Sequence, residues 1–241
     1  MLAIVDADVF VHWAARASDD ADEAVEMAEE LIDSALESTF SDSHKFAVKG
    51  KGNFRKEVSE DYKAHRPDLD DDLRTKLNAV HKLLIKKYNA VPANDMEADD
   101  LVRIWAEEAI KAKEDFVIIA EDKDLKCIPG IFYNPKKNFM EYIDKDEADL
   151  LYHCQLLTGD SADNIKGLYR VGPKTARKWL VDVPMSQRMD KVKEIWAEKH
   201  PQDWQQRLLT CGRLIHILRT HDDEFTLGEN IDAGKEETVE S

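Results

Sequence analysis

The sequence predicts an α/β protein, with a mostly parallel sheet flanked by helices and a helical region after it. Three observations carry that expectation. Short apolar runs break off at aspartates, Leu2–Val5 before Asp6 and Phe116–Ala120 before Asp122, and read as buried strands. Stretches with apolar residues at helical spacing alternate with such runs, as crossover helices do. Beyond Thr158 helical patterns and turns continue, without a convincing strand.

Taken in order, Leu2–Val5 is the first strand. Ala21 to Phe40 is an amphipathic helix through Ala24, Met27, Ala28, Leu31, Ile32, Ala35 and Leu36. Phe46–Val48 is a second strand, followed by the glycine-containing 49–53. Leu73 to Tyr88 is a helix with Leu77, Val80, Leu84 and Tyr88 on one face, and Glu97 to Lys113 is another. Phe116–Ala120 is the clearest buried strand. Strand-like pieces at Ile131–Tyr133 and Phe139–Ile143 precede a helix from Asp146 to Leu157. A first, α/β domain thus occupies 1–157 and a helical region 158–227, and the aperiodic 228–241 reads as a disordered acidic tail.

A hydrophobic content of 43% suits a soluble globular chain. No run is long enough to cross a bilayer, and Asp6 and Asp8 interrupt the opening segment, which argues against a signal peptide. Cys127, Cys154 and Cys211 form no Cys-x-x-Cys pair, so neither a disulfide framework nor a zinc site is indicated, and a cytoplasmic setting is expected. The net charge of −16 argues against a nucleic-acid partner. Local distribution argues the other way. The acids gather at Asp19–Glu30, Asp70–Asp72 and the tail, while Lys45 to Arg66 is rich in lysine and arginine.

Four groups of carboxylates stand at predicted junctions: Asp6, then Glu97-Ala-Asp99-Asp100, then Asp122-Lys-Asp124, then Asp160-Ser-Ala-Asp163. In parallel sheets ligands collect beyond the carboxyl ends of strands, where Asp6, Asp122 and Asp124 fall. Glu97 with Asp100, and Asp160 with Asp163, have the i, i+3 spacing of one helix face. Magnesium takes hard oxygen ligands and retains waters, so scattered carboxylates suit it. Two such ions roughly 4 Å apart stabilise both the attacking and the leaving oxygen of a phosphodiester. The plain alternatives are helix capping for Glu97–Asp100 and for Asp122 with Asp124, and an ordinary surface helix for Asp160 with Asp163. An EF-hand at Asp68–Asp72 fails, because Leu73 stands where glycine is needed and Ala79 where glutamate is.

Val171-Gly172-Pro173-Lys174-Thr175-Ala176 reads as a turn between two short helices. It presents backbone N–H groups to a phosphate at a helix start. That is the shape of a helix-hairpin-helix, which grips duplex backbone without reading sequence; an ordinary helix corner is the alternative. Phe54-Arg55-Lys56 with Tyr62-Lys63-x-x-Arg66 interleaves aromatics and cations, as single-strand binders do. Lys63 and Arg66 are expected on one helix face.

In this order the motifs resemble the bacteriophage 5′–3′ exonucleases of the flap-endonuclease superfamily, over Asp6 to about Leu180. The resemblance implies a PIN-like core, a helical arch at about 49–72 that admits a free 5′ strand, and a helix-three-turn-helix DNA-binding region. It implies a 5′–3′ exonuclease or structure-specific flap endonuclease that leaves 5′-phosphates in phage DNA replication, in the host cytoplasm. Asp6, Glu97, Asp99, Asp100 and Asp122 would hold one Mg2+, and Asp122, Asp124, Asp160 and Asp163 the second, with Mn2+ able to substitute. Lys63 and Arg66 would clamp the scissile phosphate. Arg55, Lys56 and Tyr62 would contact the threaded strand, and Gly172, Pro173, Lys174 and Thr175 the duplex, with a K+ ion a further implied occupant. The implied partner is DNA with a free 5′ end, a flap, a nick or a gap, including RNA–DNA hybrids, bound by a monomer. One departure stands out. Many relatives carry an aspartate just before the Phe-Arg-Lys segment, and 48–53 holds no carboxylate here. A PIN-like ribonuclease and a DNA-binding protein with weakened catalysis are the competing readings.

Overall fold

The computed structural model describes residues 1–228; most of the tail expected over 228–241 lies outside the described residues. Six strands form the main sheet: β1 (Leu2–Asp6), β2 (Ser43–Lys49), β3 (Val91–Ala93), β4 (Phe116–Ile119), β5 (Gly130–Asn134) and β6 (Phe139–Ile143). Their spatial order is β3-β2-β1-β4-β5-β6, with every neighbouring pair parallel except the antiparallel β5–β6. β1 is buried on both faces, which is why it reads as an unbroken apolar run rather than an alternation.

Helices α1 (Asp8–Ala17), α2 (Ala21–Ser38) and α4 (Asp71–Lys87) cover one face, around Phe10, Ile32, Phe46, Val80 and Leu84. α5 (Ala98–Ala112) covers the other, around Ile4, Leu101, Val102, Ile118 and Phe132. A second core joins α6 (Lys145–Thr158), α7 (Pro173–Leu180), α8 (Arg188–Lys199) and α9 (Trp204–Ile215), with Trp196 and Leu208 at its centre. Ala148 of α6 lies in the sheet-side core and Leu156 in the second, so α6 belongs to both sides of the boundary expected at 157. No helix among the described residues is long and apolar enough to cross a membrane.

Several acids of the expected clusters are caps. Asp20 accepts from the backbone N–H groups of Asp22 and Glu23, both at 2.9 Å, and Asp70 accepts from Leu73 at 2.7 Å. Each satisfies donors that a helix start leaves unpaired. The acidic run at Asp70–Asp72 is therefore a helix entrance.

Some expectations need correcting. α1 was not foreseen, because its apolar residues follow β1 with no turn signal between. The segment expected as an arch, about 49–72, contains the one-turn helix α3 (Arg55–Val58), then turns through 60–65, and reaches α4 at Asp71. Lys63 and Arg66 thus share no helix face. Lys63 has φ 56°, a left-handed conformation that ends a helix. Asp160 and Asp163 do not share a helix face either. Asp160 belongs to β7 (Gly159–Asp160), which pairs antiparallel with β8 (Ile165–Lys166), and Asp163 lies in the turn between them. This hairpin also separates α6 from the Gly172 turn, so no short helix leads directly into that turn.

Candidate metal and nucleic-acid site

The carboxyl-end edge of the sheet gathers what the sequence spreads over 158 positions, from Asp6 to Asp163. Asp6 ends β1. Asp122 and Asp124 follow β4 at the start of a 3₁₀ helix (Lys123–Cys127), and Glu97 caps α5 just beyond β3. The β7–β8 hairpin supplies Asp160 and Asp163. Its two arms approach closely at Gly159, with φ 63°, and Gly167, where a Cβ would overlap the backbone of Thr158. Glu97, Asp99, Asp122, Asp124, Asp160 and Asp163 line a cleft of about 160 Å3 together with Tyr62, Lys63 and Arg66.

Three of the aspartates are held alike. Asp6 accepts from the Asp8 N–H at 3.2 Å, Asp122 from Asp124 at 2.8 Å and Asp160 from Ala162 at 2.8 Å. In each, one oxygen is fixed by the backbone two residues on and the other has no backbone partner. The electrostatics are those of crowded anions. Burial pushes the Asp6 carboxyl well above its usual range, reinforced by Asp8, Asp122 and Glu97. Burial raises Asp99 likewise, with Asp6 and Asp122 adding to it. Asp124 is pushed up to about 7, by burial first and by Asp122 second. A protein can relieve such crowding with protons or with cations.

Cations from the segment 60–66 already reach in. Lys63 pairs with Glu97, and with Asp163 at 3.3 Å. Arg66 pairs with Asp163 at 2.6 Å, and Tyr62 Oη donates to Glu97 at 2.8 Å. Lys63 is fixed at its backbone too, its N–H donating to the Asp163 carbonyl at 3.0 Å. These contacts keep Glu97 and Asp163 turned to protein donors, and among the described residues no three such side chains are already closed round a single point as a ligand set. The donor set nonetheless fits a hard divalent cation: it is all oxygen, with no cysteine or histidine among the seven acids Asp6, Glu97, Asp99, Asp122, Asp124, Asp160 and Asp163.

Asp100 is placed elsewhere. It is fully buried and takes both guanidinium ends of Arg55, at 2.7 and 2.9 Å. It also accepts from the N–H groups of Glu97 at 2.9 Å and Leu218 at 3.0 Å. Its expected role as a metal ligand is corrected to that of a buried anchor. The Glu97-x-x-Asp100 spacing is that of a reciprocal capping box, which is the signal that separates it from Asp99. Arg55, expected on the DNA, is 2% exposed; besides Asp100 it binds the carbonyls of Leu214 at 3.0 Å and His216 at 2.6 Å. Burial alone would lower its pKa, but the bonds and charge of Asp100 raise it. Tyr62, expected against the threaded strand, is 3% exposed and serves Glu97. Lys56 is exposed, as a strand contact requires.

Asn53 is the residue that motif reading passed over. Its side-chain amide donates to Glu97 Oε1 at 3.0 Å. The position next to Phe54 marked it, but the absence of a carboxylate there drew attention away. In the hairpin region, Gly172 caps α7 without a side-chain bond, Pro173 takes the first helical position, and Lys174 is exposed. That is the helix start expected there.

Residues 3–149 match the family described as "5′-3′ exonuclease, N-terminal resolvase-like domain". DNA polymerase I of Pseudomonas aeruginosa is 30% identical over 167 residues, covering 62% of this chain and 18% of the relative. The 5′-3′ exonuclease of Aquifex aeolicus is 25% identical over 186 residues, covering 71% of this chain and 63% of the relative. Against the polymerase I relatives it matches, the chain spans 14% to 24% of their length. The solved structure of T5 5′-exonuclease with bound divalent metal ions (zinc) superposes with a TM-score of 0.68 at 18% identity, covering 89% of this chain and 85% of that one. These sequence relatives are bacterial, and the superposing structure is that of T5 5′-exonuclease. With the family matched across both flanks of the sheet and most of the acidic edge, the chain belongs to the 5′-3′ exonuclease, N-terminal resolvase-like domain family.

Proposed function

We propose that the chain is a divalent-metal-dependent nuclease that hydrolyses DNA at or near a 5′ end, with Mg2+ as the working ion. The observation that carries this reading is the convergence of Asp6, Glu97, Asp99, Asp122, Asp124, Asp160 and Asp163 on one sheet edge, faced by Lys63 and Arg66. Asp6, Glu97, Asp99 and Asp122 would hold one ion, and Asp122, Asp124, Asp160 and Asp163 a second. When bound, the ions supply Lewis acidity for activating water and for taking up charge on the leaving oxygen.

The chain's own residues do the rest. Backbone N–H groups fix one oxygen each of Asp6, Asp122 and Asp160, so these carboxylates need little reorganisation before use. Lys63 and Arg66 leave Glu97 and Asp163 for the scissile phosphate and offset the charge that develops on it. Tyr62 and Asn53 retain Glu97 in place while Lys63 moves. Lys56 lies along the strand path, and Gly172–Thr175 holds the duplex, where K+ is the expected monovalent ion. The relatives named as exonuclease and flap endonuclease support this assignment.

The test is a 5′-labelled flap duplex incubated with the purified chain in Mg2+, in Mn2+ and in chelator, beside a matched RNA flap. Metal-dependent release of 5′-phosphorylated products from DNA, lost in Asp122→Asn, is the expected result. Cleavage that persists in chelator, or in Asp122→Asn, removes the acidic edge from the reaction. Preference for the RNA flap turns the assignment to a ribonuclease.

A further inference from the structure

Residues 164–181 hold five cations, Lys166, Arg170, Lys174, Arg177 and Lys178, and no acid, in a chain whose net charge is −16. Glu147 takes up Arg177, at 2.7 and 2.8 Å. The other four are exposed. Two residues ahead of the Gly172 turn stand outside the cores formed by the described residues. Tyr169 is 80% exposed. Arg170 lays its guanidinium over that ring, 5.0 Å from the centroid, and pairs with no carboxylate among the described residues. The local packing comes instead from their neighbours, Leu168 and Ala176, in the second core.

The position of the pair is set. The Val171 N–H donates to the Leu168 carbonyl at 3.1 Å, closing the turn that carries Tyr169 and Arg170. Gly167 is pressed against Thr158 and Gly159, at the root of the hairpin bearing Asp160 and Asp163. The pair therefore stands one turn from the acidic edge on one side and one turn from α7 on the other. Gly172 has open space where a Cβ would be, and an ordinary φ of −98°. Among the described residues nothing calls for its bareness, which leaves room for an outside group. An aromatic face carrying a guanidinium suits a nucleotide, with the ring against sugar or base and the cation against phosphate.

We propose that Tyr169 and Arg170 form a stacked contact on the duplex portion of the substrate, beside the Gly172–Thr175 turn. This rests on the nuclease reading and adds two residues to it. Duplex rather than single strand is the occupant because the pair adjoins the helix-start turn, whereas Lys63 and Arg66 serve the strand that enters the cleft.

The test uses the full chain in chelator, so that nothing is cleaved. Fluorescence anisotropy follows binding to a labelled 5′-flap duplex, and to the flap strand alone, across a KCl series. Arg170→Gly suits the φ of 60° at that position better than arginine does, so its Tm should not fall. Tyr169→Ala should weaken duplex binding about fivefold or more, and Tyr169→Phe should restore it. Arg170→Gly should lower the slope of log affinity against log salt by about one unit. If the wild type binds but both variants keep its duplex affinity and salt slope, the pair is not a contact and the nuclease reading stands. Equal losses on the single strand overturn the duplex assignment. A wild type that binds neither DNA overturns the stacked contact, and the nuclease reading is then decided by the flap assay in Mg2+.

Discussion

Replacing Arg55 with methionine separates a structural clamp from a DNA contact. The guanidinium makes two bonds to Asp100, and one each to the carbonyls of Leu214 and His216, in a site where the arginine is 2% exposed and the aspartate fully buried. Without the arginine, Asp100 keeps only the N–H groups of Glu97 and Leu218, and a buried charge is left without its counter-ion. Breaking one side of such a pair costs about 3–5 kcal/mol. At the 2–4 °C per kcal/mol typical of chains this long, Tm should fall by about 6–20 °C. Asp100→Leu alone should be similarly harmful. The double variant Arg55→Met/Asp100→Leu should recover part of the loss, because neither charge is then stranded. Circular-dichroism melts and urea titrations of the four proteins complete the cycle. Wild-type Tm in Arg55→Met together with reduced DNA affinity would put this arginine back at the DNA surface and refute the clamp.

Three further outcomes follow from the acidic edge. Lys63→Ala, which removes a cation paired with Glu97 and Asp163, should lower kcat on a flap duplex about 10²–10³-fold; an unchanged kcat excludes Lys63 from charge neutralisation. Asn53→Asp sets a second carboxylate where an amide now meets Glu97 at 3.0 Å. It should lower Tm in chelator and tighten Mg2+ binding, read by calorimetry without DNA, on the order of tenfold; weaker Mg2+ binding contradicts the arrangement. The Asp124 carboxyl is raised to about 7 from 3.8. A raised acid stabilises the fold below its unfolded pKa, and that stability is lost as pH rises through the folded value. In chelator, wild type should therefore lose more stability than Asp124→Asn between pH 5 and pH 8, as read by urea midpoints; parallel profiles dismiss the effect.

Much of the sheet was legible because buried parallel strands are apolar throughout and end abruptly, as Leu2–Val5 and Phe116–Ile119 do. The carboxylates were legible for the same reason: an acid directly after such a strand has little other business there. Burial of charge was not. Arg55 and Tyr62 look like a basic-aromatic strand contact in one dimension, and only the fold brings Arg55 to Asp100, Leu214 and His216 and Tyr62 to Glu97. Asp99 and Asp100 differ by about a quarter turn of helix, which sends one toward the cleft and the other into the core. The two-residue strands β7 and β8 are too short for any periodicity, and the spacing of Asp160 and Asp163 imitates a helix.

The bonds that tie Leu214, His216 and Leu218 to Arg55 and Asp100 have a practical corollary for dissecting this chain. A fragment ending at 157 would contain most of the acids yet strip Arg55 of two carbonyl acceptors and Asp100 of one amide donor. Glu97 hangs from the same aspartate through its own N–H. These bonds tie the sheet half to the helical half, and shortening the chain from its far end reaches the acidic edge from behind.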